Sequence, residues 1–333
     1  MLEGKRVFVL GSGSFSGSHF VDHCLDMGAE VRGINRSAET STLFLPYLKN
    51  KRKANFTFFQ CHLVRDTERI LNLIQEFEPQ YVVDFAAQSM VAPSWKDPVL
   101  WFETNVIAKV KLHERLRLMK SIEAYLRFTT PEVYGSTSGV VDETAPYNPT
   151  TPYAVSQAAC DMSVMSFHKQ YGFPAILTRA SNVYGVGQQL YRIVPKAILC
   201  ARSGRRLTMD GGGVSVRDFV EIGDVSRALS ALLVNTQTRG QTYHITSGEM
   251  LSIRDLVSHI AQLTNKDFNH FVQVGEERPG KDLAYELSST KIRKATGWTP
   301  RVPLINGLSK MVEWIDANWA LLENLNWDYQ HKD

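Results

Sequence analysis

The sequence predicts an α/β protein: a doubly wound parallel sheet followed by a smaller C-terminal lobe. Three observations carry that expectation. Short apolar runs without polar alternation recur between helical segments as far as residue 185, as in strands covered on both faces. The first of them leads into a glycine-rich turn and a helix. Beyond Gly185 the rhythm breaks into shorter elements. With 333 residues, 44% of them hydrophobic and 21% charged, the chain is long enough for a large core and two lobes.

Lys5 to Leu10 reads as the first strand, followed by Gly11-Ser-Gly-Ser-Phe-Ser-Gly17. A helix comes next with Phe20, Val21, Cys24 and Leu25 on one face, ending near Gly28. Glu30 to Asn35 is the second strand. This βαβ context turns a weak glycine motif into a dinucleotide site, because the turn lets a pyrophosphate approach the backbone at a helix N-terminus. Gly11, Gly13, Ser14, Phe15, Ser16 and Gly17 are therefore candidate cofactor residues. The end of the second strand, about 20 residues past the first glycine, should face the adenosine ribose. An acid there favours NAD; this chain has Asn35-Arg36-Ser37, and Arg36 can pair with a 2′-phosphate. The expectation is NADP or NAD, with NADP favoured.

Phe56 to Cys61 is the third strand, Thr67 to Phe77 a helix, and Tyr81 to Phe85 the fourth strand. Asp97-Pro98 opens a long helix to about Lys120. Ala124 to Phe128 is the fifth strand, and Thr129 to Gln157 follows from its end. Thr151 suits the N-cap and Pro152 the first turn of a helix ending at Tyr171-Gly172. Tyr153 and Gln157 then share one helical face. Hydroxyls and a carboxylate at a strand's C-terminal end, facing a tyrosine on the next helix, lie where open α/β sheets bind ligands. A phenol beside a carboxylate suits proton transfer at a sugar hydroxyl and its carbon. Ala175 to Arg179 is the sixth strand. Residues 1–185 make the nucleotide-binding domain, with a segment at about 219–240 returning to it. Residues 186–333 form mainly the second lobe, with Ser252 and Pro303 opening its helices.

The formal net charge is only +3, from 37 basic and 34 acidic residues, with no basic stripe carrying interleaved aromatics. Nucleic acid is not an expected partner. No apolar stretch is long enough to span a bilayer, and the apolar run Val7 to Leu10 is too short for the core of a signal sequence. Four scattered cysteines and no C-x-x-C point to buried thiols in a reducing cytoplasm. The nine histidines show no metal-binding spacing, so no metal is assigned.

Several separate stretches, in order, resemble the extended short-chain dehydrogenase/reductase family, whose sheet is of the Rossmann type, and within it the nucleotide-sugar 4,6-dehydratases. The dTDP-glucose enzymes are nearest, the GDP-mannose and CDP-glucose enzymes close behind. They are Ala86-Ala87-Gln88-Ser89 with Thr104-Asn105, Thr129 to Gly135, Pro152 to Gln157, Ser181 to Gly185, Val216 to Phe219, Arg278 to Asp282, and Lys291 to Pro300. The resemblance implies that Tyr153 takes the O4 proton while a nicotinamide takes hydride from C4. Thr130 bonds O4, Glu132 removes the C5 proton, water leaves C6, and the hydride returns there. The implied catalytic set is Thr130, Glu132, Tyr153 and Gln157. His62, Leu63, Ala86, Ala87, Gln88, Tyr153 and Gln157 join the cofactor set. Ser89, Thr130, Asn182, Arg217 and Arg278 are implied to contact a nucleoside diphosphate sugar. The helices over 97–120 and 152–171 are implied to pair two subunits into a homodimer.

Four positions depart from the family pattern. Ser14 replaces a glycine, His62 an aspartate that meets the adenine amine, and Pro131 an aspartate that protonates the leaving hydroxyl. Gln157 replaces the lysine of Tyr-x-x-x-Lys, whose ammonium lowers the tyrosine's pKa. A neutral amide supplies no charge, so another cation must help or oxidation is slow or lost. Two alternatives therefore stand beside the dehydratase: an epimerase or decarboxylase of the same family, and a catalytically impaired protein that binds NAD(P) and sugar nucleotides.

Overall fold

A computed structural model of the chain describes residues 2–276 and 286–331. Its centre is a seven-stranded sheet. The strands are β1 (Arg6–Leu10), β2 (Glu30–Asn35), β3 (Phe56–Gln60), β4 (Tyr81–Asp84), β5 (Ala124–Thr129), β6 (Ala175–Ala180) and β7 (Gln241–Ile245). Their order is β7-β6-β5-β4-β1-β2-β3, and every neighbouring pair is parallel. The order reverses between β1 and β4, which opens a crevice at the strands' C-terminal ends, the place where such sheets take ligands. The expected doubly wound parallel sheet is thus the observed one. The chain's return to the sheet runs past residue 240, because β7 is its edge strand.

Helices cover both faces. α1 (Phe15–Asp26) and the later helix Ile222–Val234 lie on one, over Val9, Val83, Leu126 and Ile176. On the other lie α2 (Thr67–Phe77), α3 and α4 (Pro152–Tyr171), over Phe8, Val82, Tyr125 and Leu177. α3 is the long helix expected to run to about Lys120. It is two α-helical segments, Pro98–Phe102 and Ala108–Leu116, joined by a π turn at Glu103–Ile107. Its side-chain pattern predicted a plain helix, since one widened turn leaves little trace in hydrophobic spacing. The Asp97 carboxylate caps its start, accepting from the Leu100 N–H at 3.2 Å.

A second apolar core, including Leu199, Leu256, Ile260, Leu308, Met311 and Ile315, holds together α5 (Ile193–Ser203), α6 (Ile253–Leu263) and α7 (Leu304–Ala317). Ser252 caps α6 as expected, accepting from the Asp255 N–H. The two cores are sewn together by Asp218. Its carboxylate accepts from Ser181 Oγ beside β6 and from Ser247, Gly248 and Glu249 of the loop after β7. The four cysteines are buried free thiols. No helix among the described residues is long and apolar enough to cross a membrane.

Candidate active site

The glycine turn after β1 builds one end of the crevice. Gly11 has φ +80°, and a Cβ there would sit 2.8 Å from the Ala86 nitrogen. A Cβ on Gly17 would sit 2.1 Å from the Gly11 carbonyl oxygen, so α1 reaches the strand this closely only with glycine there. Ser14, the departure in this turn, has φ −75° and needs no glycine. It is the N-cap of α1: its hydroxyl accepts from the Gly17 N–H at 3.0 Å and donates to the Gly11 carbonyl at 2.7 Å.

Nine of the sequence-derived cofactor residues line one cavity at the switch point: Gly11, Ser14, Asn35, Arg36, His62, Leu63, Ala86, Ala87 and Gln88. Ile34, Cys61, Phe85 and Thr104 complete its wall. Gly13, Phe15, Ser16 and Gly17 shape the turn without facing that cavity. The His62 ring Nδ1 accepts from the Val64 and Arg65 N–H groups, at 3.2 and 3.3 Å. Its proton therefore sits on Nε2. Burial lowers the imidazole's pKa, and the Arg65 and Arg36 charges lower it further.

The other end of the crevice is tied to α4. Asn105, buried in the π turn, exchanges two hydrogen bonds with the Gln88 backbone, at 2.9 and 3.0 Å. Its amide also donates to Ser156 Oγ at 3.0 Å, and that hydroxyl donates to the Tyr153 carbonyl at 2.7 Å. The Thr151 hydroxyl caps α4 as expected, accepting from the Ala154 N–H at 3.1 Å.

Thr130, Glu132 and Tyr153 converge. The Thr130 hydroxyl accepts from the Glu132 N–H at 3.2 Å, and both residues lie near enough to the Tyr153 phenol to act on its pKa. Burial raises the phenol's pKa and the Glu132 charge raises it further; the Thr130 hydroxyl and the Arg192 and Arg127 charges oppose them. Pro131 opens a 3₁₀ turn, Pro131–Tyr134, that directs Glu132. Gln157 is buried one turn below Tyr153, and its Oε1 accepts from the Arg127 guanidinium. Arg127 also pairs with Asp161 at 3.0 Å and Asp84 at 3.6 Å. Asp161 in turn accepts from Thr129 at 3.1 Å and Arg179 at 3.2 Å.

Asn182 begins the short strand Asn182–Tyr184, and Arg217 lies on Val216–Glu221, whose Phe219 pairs in register with Asn182. Both are half-buried, while Ser89 is exposed beside the crevice. Arg278 lies outside the described residues. No cluster able to hold a metal occurs among the described residues.

Sequence reasoning missed Arg127, Asp161, Arg192 and Asn105's joining role. The signal for Arg127 was present: an arginine inside an otherwise apolar strand requires a buried partner.

A Rossmann-type sheet with a Thr-Glu-Tyr cluster beyond the C-terminal end of β5 defines the class of short-chain dehydrogenase/reductase proteins. Within it, the chain belongs to the GDP-mannose 4,6-dehydratase family, whose profile matches residues 8–311. The dTDP-D-glucose 4,6-dehydratase of Homo sapiens is 30% identical over 96% of this chain and 93% of its own length. That of Xanthomonas campestris is 29% identical over 95% of each. The dTDP-glucose 4,6-dehydratase of Streptomyces venezuelae, solved with NAD, superposes with TM-score 0.87 at 28% identity, covering 95% of this chain and 98% of that one. A UDP-glucose 4-epimerase from Thermotoga maritima, solved with UDP-glucose, gives TM-score 0.85 at 25% identity, covering 94% and 99%.

Proposed function

We propose that the protein is a nicotinamide-dependent nucleotide-sugar 4,6-dehydratase. The carrying observation is the convergence of Thr130, Glu132 and Tyr153, with Tyr153 joined to the cavity residue Gln88 through Ser156 and Asn105. A nicotinamide dinucleotide would lie along the cavity from Arg36 and His62 to Gln88, accepting a hydride and returning it. Tyr153 takes the proton from the sugar O4, and Thr130 holds that oxygen. The resulting ketone acidifies the C5 hydrogen, which Glu132 removes before water leaves C6. Pro131 has no proton to give, so Glu132 delivers the proton it has taken to the departing hydroxyl. Asn182, Arg217 and Arg278 meet the nucleoside diphosphate, an arginine fork suiting phosphate oxygens.

The test is incubation with dTDP-glucose, UDP-glucose, CDP-glucose and GDP-mannose. A product lighter by one water is expected from at least one of them. Unchanged mass with inverted C4, or loss of carbon dioxide, would instead identify an epimerase or a decarboxylase. Tight binding without turnover would identify a binding protein.

Arg36 supports NADP over NAD, and the dissociation constants of the two compare directly; tighter NAD binding would overturn this preference. A homodimer through α3 and α4 is supported by the exposed Val99, Ile107 and Met162 on those helices. Met162→Glu should yield monomers by light scattering if that face is the interface.

A further inference from the structure

A cluster of buried ionisable groups lies beneath α4. Asp84 and Asp161 face Lys109, Arg127 and Arg179: three basic side chains and two acidic ones, each residue no more than 2% exposed. The neutral groups in contact are Tyr125, which donates to Asp84 at 2.7 Å, Thr129 on Asp161, Tyr134 and Tyr147 on Arg179, and Gln157 on Arg127; His113 meets the cluster through Tyr125. Burial lowers the Lys109 pKa, whereas a guanidinium keeps its proton. The Arg127 charge lies near the phenol that the dehydratase reading makes a base. Burial first, then the Glu132 charge, stand against that phenol's ionisation, and the Thr130 hydroxyl and the Arg192 and Arg127 charges favour it. Arg192 is half-exposed at the start of α5, where solvent screens it; Arg127 is sealed and cannot lose its proton.

Gln157 links the two. Tyr153, Gln157 and Asp161 follow one another at single-turn spacing along α4. Arg127 can only donate, so the Gln157 oxygen must face it and the NH₂ group must face away. The amide is polarised by the guanidinium, and its donor group is turned away from Arg127.

We propose that Arg127 and Gln157 together perform the task of a single lysine on α4: the strand supplies the permanent charge that favours the Tyr153 phenolate, and the amide carries its donor character to the cofactor's ribose. This rests on the dehydratase reading for its role in turnover, though not for its effect on the phenol. Arg127 is a positioning residue, since it acts through Gln157.

The experiment measures two quantities on the full-length protein with NAD and NADP each added in turn. One is the Tyr153 titration, the tyrosinate absorbance difference between each variant and its Tyr153→Phe counterpart. The other is the pH profile of kcat with dTDP-glucose, UDP-glucose, CDP-glucose and GDP-mannose. Arg127→Gln should move the titration and the basic limb upward by about one pH unit or more, lowering turnover at neutral pH roughly tenfold. Arg127→Lys should recover most of this loss. The double variant Arg127→Gln, Gln157→Lys conserves the buried charge and should restore both readouts. Should Arg127→Gln fail to fold, Gln157→Leu leaves every ion pair intact and should shift the titration in the same direction while weakening cofactor binding. An unmoved titration in Gln157→Leu and in whichever arginine variants fold would overturn the proposal. A double variant that folds without restoring the titration would do the same. If no nucleotide hexose is turned over, the dehydratase reading fails, and the titration alone still decides for or against the pair.

Discussion

Strands β4, β5 and β6 present two unlike faces to their helices. Val83, Leu126 and Ile176 point to one side, against α1 and the helix Ile222–Val234, where packing is apolar. Asp84, Arg127 and Arg179 point to the other, at the C-terminal ends, against α3 and α4. Asp84 and Arg127 are register partners across β4 and β5. The same backbone thus supports a wholly apolar core on one face and, on the other, an apolar core that gives way to buried charge at the C-terminal ends. Burial pushes the Asp84 carboxyl up, but Lys109 and Arg127 overcome it and hold it below the usual carboxylate range. The apolar face tolerates volume-conserving exchange; on the charged face, removing one partner's charge leaves the others uncompensated. The candidate site lies over the second face, where fixed charge is available to act on a phenol.

The largest expected effect comes from the site itself. Glu132→Gln should lower turnover by roughly 10²–10⁴-fold and abolish C5 hydrogen exchange with solvent, leaving the unfolding midpoint near that of the parent. Exchange that persists would remove Glu132 as the base. Next is the charged face. Arg127→Met removes the guanidinium that bridges Asp84 and Asp161 and should destabilise the fold by about 3–5 kcal/mol in urea titrations, with activity falling as well. On the apolar face, Leu126→Ala should cost about 2–5 kcal/mol by cavity formation while leaving the pH profile of kcat in place. A Leu126→Ala profile that moves would erase the contrast between the faces.

Acid sharpens the contrast further. Burial first, then the Arg127 charge, holds the His113 imidazole down at about 3; burial and then Arg179 do the same for His244, also about 3. An unfolded histidine binds its proton near pH 6.5. Below that, the unfolded state binds more protons, so stability falls as pH falls. The slope is about 1.4 kcal/mol per pH unit per histidine until the folded values are reached. His19 on α1, lowered to about 4 by burial, adds a third term that ends sooner. Thermal melts from pH 7 to 4 should show the loss, and His113→Phe should make it shallower. The smallest effect is at the cap: Thr151→Ala should cost about 1 kcal/mol, read from the same melts.

Much of this architecture was legible beforehand for a local reason. β2, α2 and α4 match their expected bounds because apolar runs, caps and glycines act within a few residues. The glycine turn and the order Thr130, Glu132, Tyr153 were readable in the same way. The π turn in α3 was not, since its purpose is to bury Asn105 against Gln88 and Ser156, and those partners are 17 and 51 residues distant. Nor was the answer to the missing lysine at position 157 readable.

By itself, then, the sequence determined the alternation of strands and helices, the close approach of α1 to β1, and which residue types reach the crevice. Those follow from short-range sterics and hydrophobic spacing. Only the tertiary structure decided where the buried charge resides. Register across β4 and β5 and the seating of α4 bring Arg127 to Gln157 across 30 positions of chain, and electrostatic energy depends on distance in space.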